Sequence, residues 1–164
     1  MSRRRLLPVV TILASVLPAQ ALALGCICPA GVKSPKKAAR AADAVFLGVA
    51  DRIVFLQDGR PAAPEVDRLS ESVRMIVIFR VAKAWKGVHE ASIAVTTGPD
   101  PAVECGFPFE KDGQYLVYAD QVKYSRGGQE GWELATTRCH RTRGGPAALK
   151  EARALGKPEW APAP

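Results

Sequence analysis

The sequence predicts a mainly β domain, five strands closed into a small barrel, with one short helix before the first strand and another after the last. Three observations lead there. Apolar residues alternate in short runs divided by turns rich in glycine and proline. Once an apolar leader is set aside, about 139 of the 164 residues remain, a length that suits a barrel with no exposed sheet edge. All four cysteines follow that leader, which favours a small disulfide-pinned fold.

The elements follow in order. Arg3, Arg4 and Arg5 precede an uncharged run from Leu6 to Leu24, closed by Ala21, Ala23 and Gly25. That is the grammar of an export signal over 1–25; Pro8 and Pro18 and the lack of a charged stop argue against a membrane span. Ser34 and Pro35 start a short helix running from Lys36 to Ala42. Residues 44–55 read as a strand, with Val45, Leu47 and Val49 on one face, Phe46 on the other, and a bulge or bend at Gly48. Residues 56–71 are polar, a long loop or hairpin tip. Residues 72–84 carry the strongest strand signal, apolar on both faces at Ile76 and Ile78. Trp85-Lys86-Gly87 turns the chain, and 91–97 is the next strand. A turn-rich connection, 98–113, carries Cys105, and short strands follow at 114–119 and 132–137. A helix opens at Pro146 and runs to 155, and the closing PEWAPAP reads as a disordered tail.

Charge and motifs exclude more than they identify. The whole chain carries +7; without the three leader arginines, 20 Lys and Arg face 16 Asp and Glu, leaving +4. That is too mild for a nucleic-acid binder. There is no HExxH, no Gly-x-Ser-x-Gly elbow and no Gly-rich phosphate loop, and no pair of carboxylates stands out, so the chain reads as a non-enzyme with no cofactor. His89 and His140 read as exposed polar residues rather than ligands.

An even cysteine count in an exported chain predicts two disulfides. Cys26–Cys28 would close a very small strained ring, which leaves two crossed arrangements tying Cys26 and Cys28 to Cys105 and Cys139. Each such loop is long enough to contribute about 4–5 kcal/mol in the chain-entropy account. A four-thiolate zinc site fits poorly, because one pair is CxC and the other cysteines are singletons. A redox pair fits poorly too, since reactive pairs are typically CxxC.

The ordered set CICP, ADAVFLGVA, FRVAKAWKG, AVECGF, DGQYLVYA and ELATTRCH resembles the N-terminal, netrin-like domain of the tissue inhibitors of metalloproteinases, from Cys26 to about Arg143. The resemblance implies an OB-type barrel over 26–143, with 144–164 as C-terminal helix and tail, and the pairing Cys26–Cys105 and Cys28–Cys139. It also implies a zinc metalloprotease as partner. In that family the first cysteine gives its α-amino nitrogen and carbonyl oxygen to the target's catalytic zinc. Carried over, Cys26 is the metal-capping residue, Ile27 fills the specificity pocket, Cys28 and Pro29 continue the contact edge, and Val103 and Glu104 form the adjoining ridge. The chain departs from the family in placing Pro29 directly after Cys28 and Ile27 where a small polar side chain is usual. It also lacks the cysteines of a third bridge and the cysteine-rich C-terminal domain.

The processing point decides the chemistry. Cleavage after Gly25 frees the Cys26 amine, cleavage after Ala23 leaves Leu24-Gly25 in front of it, and lipidation at Cys26 would consume its sulfur and attach the chain to a membrane. A free Cys26 in a secreted or periplasmic protein is the expectation, because a partner cysteine for position 105 then exists. The alternative is a netrin-like envelope-binding or structural module with no protease target.

Overall fold

The computed structural model describes residues 25–29, 34–63, 66–67, 73–126 and 128–163. The leader expected over 1–25 lies outside the described residues except for Gly25, as does part of the 56–71 loop. The chain is mainly β, with two helices and two disulfides.

Helix α1 spans Pro35–Ala41 and β1 spans Ala44–Gln57. A turn at Asp58 and Gly59 folds the two-residue β2, Arg60–Pro61, back onto the end of β1. Then come β3 (Val73–Lys86), β4 (Ser92–Thr97), β5 (Gln114–Arg126), β6 (Gln129–Ala135), the two-residue β7 (Arg143–Gly144) and α2 (Gly145–Leu155). The five long strands pair in the order β1-β3-β4-β6-β5, and β5 returns to β1, so they form a ring. Every pairing in it is antiparallel except β4 with β6.

Alternation along the strands sorts the apolar residues into two cores. Phe46, Val77, Phe79, Val95, Val117 and Ala119 pack together from the inner face of the ring. Edge-to-face ring contacts link Phe46 to Phe79 (5.3 Å), Phe79 to Phe109 (5.2 Å) and Phe109 to Tyr115 (4.9 Å). The turn-rich connection thus inserts its own aromatic residues into the core. The opposite face of β1 and β5, with Val45, Leu47, Leu116 and Tyr118, is covered by Ala38 of α1, Ala42 at its C-terminal cap, and Ala148 and Ala152 of α2.

Two expectations need correction. The strands read as 114–119 and 132–137 are one longer hairpin, paired from Asp120–Ala135 to Arg126–Gln129. Polar Gln121, Lys123 and Ser125 conceal it, because the hairpin outruns the core that would impose strict alternation. The tail read as disordered is tied down as far as Trp160: its nitrogen donates to the Ala84 oxygen, its oxygen accepts from the Ala84 nitrogen at 2.8 Å, and its ring packs against the inner core. By contrast, the expected C-terminal helix is present as α2, and it packs into the second core. The irregularity expected at Gly48 is present as a register shift between Leu47 and Gly48.

Candidate functional site

The site is built on a loop that is short of side chains where the backbone crowds. Gly98 and Gly106 meet so closely that a Cβ on Gly106 would lie 2.0 Å from the Gly98 oxygen. Between them Asp100 organises a turn. Its carboxylate accepts from the nitrogens of Ala102 (2.7 Å) and Val103 (2.8 Å), and its main-chain oxygen accepts from Glu104 and Gly106. This is the local bonding that aspartate before proline favours.

The turn presents its Ala102 oxygen to the N-terminal strip, where Cys26 nitrogen donates to it at 2.7 Å. Cys26 is bonded to Cys105, and Cys28 to Cys139; the pairing left open by geometry is thereby fixed. The bridges lie side by side, with the sulfurs of Cys26 and Cys28 3.9 Å apart. All four sulfurs fall within 4.8 Å of one another, a cluster with metal-ligating residue types, but in two disulfides they offer no thiolate. Cys105 has φ 55°, a left-handed conformation costly for a residue with a Cβ, and its oxygen accepts from Arg138 nitrogen at 2.7 Å. Arg138 also donates from its guanidinium to the Pro101 oxygen at 3.0 Å. Three segments distant in sequence are locked into one edge.

On that edge Ile27 is 86% exposed and Val103 57% exposed, and Pro29 is exposed beside the second bridge. Glu104 behaves differently. It is half-buried, folded against Gly98, where a Cβ would lie 2.7 Å from its own. The structure therefore brings Cys26, Ile27, Cys28, Pro29 and Val103 together at the surface and turns the Glu104 side chain inward.

Beside the edge lies a polar cluster that the sequence reading missed. The Tyr118 hydroxyl donates to Glu151 at 2.8 Å, and Arg141 donates to the same carboxylate oxygen at 2.6 Å. Thr136 and Thr142 bond each other and the Tyr118 oxygen. Burial pushes the Tyr118 phenol well above its ordinary range, and the Glu151 carboxylate adds to the shift. His140 is not an exposed residue as expected. Its Nδ1 accepts from the Thr137 nitrogen at 2.9 Å, which leaves the proton of the neutral ring on Nε2, 3.1 Å from Asp120. His89 is exposed. Nothing in the local sequence signalled this cluster, because Glu151, the acceptor of the Tyr118 hydroxyl, lies on a helix 33 positions away.

Among the described residues no helix is long and apolar enough to cross a membrane, and two disulfides suit an oxidising, exported environment. No family model matches the chain, and a search of curated proteins finds no similar sequence.

Proposed function

We propose that the chain is an exported inhibitor-like protein, secreted or periplasmic, that caps the catalytic zinc of a metalloprotease with the main chain of Cys26. The observation that carries this reading is the juxtaposition at Cys26: its sulfur is held by Cys105, its nitrogen by one hydrogen bond to Ala102, and the next side chain, Ile27, stands in water.

Removal of Gly25 converts the Cys26 nitrogen from a peptide N–H to an amine. One hydrogen stays on the Ala102 oxygen, and the neutral amine keeps a lone pair for a metal. A free α-amine titrates near pH 8, so a usable neutral fraction exists at neutral pH. The Cys26 carbonyl oxygen is the second donor, and a catalytic zinc keeps a position open for such ligands. Because both bridges already fix the strip, little ordering remains to oppose binding. Ile27 would enter an apolar specificity pocket, with Val103 alongside.

The strand order supports an OB-type barrel beneath this edge. Counting only the long strands, the ring runs first, second, third, fifth, fourth and back to first, with the third and fifth parallel.

The test compares protein beginning at Cys26 with protein carrying one extra alanine, against a panel of zinc metalloproteases. Inhibition by the first form alone is the expected result. Equal inhibition by both forms would remove the chelation mechanism. No inhibition by either would leave the netrin-like binding module, with no protease target, as the reading to pursue.

A further inference from the structure

A cavity of about 450 Å³ opens beside the second disulfide, walled by Cys28, Cys139 and Pro29. One side is small and apolar, formed by Ala38 and Ala41 of α1 and by Ala42 at its C-terminal cap. The other is cationic: Arg138, Arg141 and Arg143 line it, together with His140, Asp120 and the Tyr118 ring.

The charges there do not cancel. Asp120 is bonded to His140, and Glu151, beneath the cavity, is bonded to Arg141 and Tyr118. Arg138 and Arg143 have no such partner. Each donates to a main-chain oxygen, that of Pro101 and of Thr142, and among the described residues no carboxylate is bonded to either. A guanidinium has five N–H donors in a planar fork, so both retain donors for an oxyanion.

We propose that this cavity binds a small phosphate monoester, its phosphate on Arg138 and Arg143 and its organic body against the alanine face of α1. Arg138, Arg141 and Arg143 outnumber Asp120 and Glu151 there, so the cavity keeps a positive excess toward the nearly two negative charges of a phosphate monoester at neutral pH. Bonds to a charged acceptor from arginine are the strong, often bidentate kind. The volume falls within the range of small-ligand sites, and the mixture of an apolar wall with a few converging polar groups is typical of them. This site is separate in chemistry from the metal-capping role of Cys26 and does not rest on it.

The probe is phenyl phosphate, titrated by calorimetry into the disulfide-bonded protein, with inorganic phosphate, benzoate and phenol as comparisons. Saturable one-to-one binding is expected, about ten-fold tighter than any of the three, with the His140 ring resonances shifting as the site fills. Arg143→Gln should weaken phenyl phosphate about ten-fold, and Arg138→Gln similarly. Arg138 also ties down the 98–106 loop, so Ala41→Phe, which fills the cavity from an exposed helix position, provides a variant that leaves that loop untouched; it should abolish binding. The proposal is overturned if phenyl phosphate shows no saturation up to about 10 mM. It is equally overturned if Arg143→Gln and Ala41→Phe bind as well as the parent. Equal affinity for benzoate would remove the phosphate assignment, and equal affinity for inorganic phosphate would remove the role of the alanine wall.

Discussion

On the edge that carries Cys26, two large apolar side chains stand in water; on the flank beneath α1 and α2, a tyrosine, a glutamate and two threonines are buried. Each arrangement is unfavourable in isolation and is sustained by different means. Ile27 and Val103 forgo burial, and the backbone under them is held by covalent bridges, the Asp100 turn and the Cys26–Ala102 bond. Tyr118 and Glu151 forgo hydration, and their polar atoms are satisfied within the protein. Rigidity on the edge comes from cross-links; on the flank it comes from packing and hydrogen bonds.

Removing the second bridge strikes the edge first and hardest. Cys28→Ala with Cys139→Ala opens a loop spanning 111 positions and should lower stability by about 4 kcal/mol, somewhat less if the surviving bridge already compacts the unfolded chain. Urea denaturation measures the loss. Amide exchange distinguishes the regions: Val103 and Glu104 should lose protection more than Tyr118. Equal loss at both would mean that the two regions form one cooperative unit and are not held by separate means.

Tyr118→Phe tests the flank, with an expected loss of about 1–3 kcal/mol because the Glu151 carboxylate loses a buried donor. The pH dependence has a definite sign. The phenol is held above its ordinary value of 10.0, so the folded state binds that proton more tightly than the unfolded state. The contribution is complete below about pH 10 and is lost as the pH climbs from there through the raised folded value. Denaturation curves from pH 7 to 11 should therefore show parent and variant converging only at the alkaline end. No gap at any pH would mean that Tyr118 acts by packing alone, and a constant gap would mean that its hydrogen bond contributes without a raised phenol.

The two regions were also unequally legible in the sequence. The edge was readable because its determinants are few and covalent: four cysteines, one excluded pairing, and a CxC that follows an uncharged apolar run. The ring was readable in outline, since Phe46, Phe79 and Val77 alternate with outward residues. Phe109 was not, because a buried ring inside a turn-rich connection has no periodicity to betray it. The flank was hidden for another reason. Glu151 lies on a helix where a solvent-exposed acid is the ordinary expectation, and only the approach of α2 to β5 converts it into the partner of Tyr118 and Arg141. Trp160 was misread for the same reason, its anchor at Ala84 being distant in sequence.

Asp100→Ala sharpens the comparison within the edge itself. Both bridges survive this change, while two hydrogen bonds to the Ala102 and Val103 nitrogens are lost. The expected cost is about 1 kcal/mol, since the exposed nitrogens can turn to water. If the disulfides alone held the edge, Cys26-first protein would inhibit a susceptible metalloprotease unchanged; loss of potency beyond the stability change would assign the rigidity to the turn.

The smallest stability effect should come from Ile27→Ala. The side chain is 86% exposed, so truncation removes almost no buried surface and the change should stay within about 0.5 kcal/mol in denaturation. A side chain with no packing role and a fixed backbone has its energetic consequences outside the folded monomer. In the capped complex Ile27 would become a buried anchor, where truncating a residue of its size costs about 2–5 kcal/mol, or roughly thirty-fold or more in affinity. Stability and inhibition measured on the same variant therefore separate the alternatives. A large fall in affinity with an unchanged denaturation midpoint supports the contact edge, whereas no change in either would leave Ile27 without a task and favour a module whose working surface lies elsewhere.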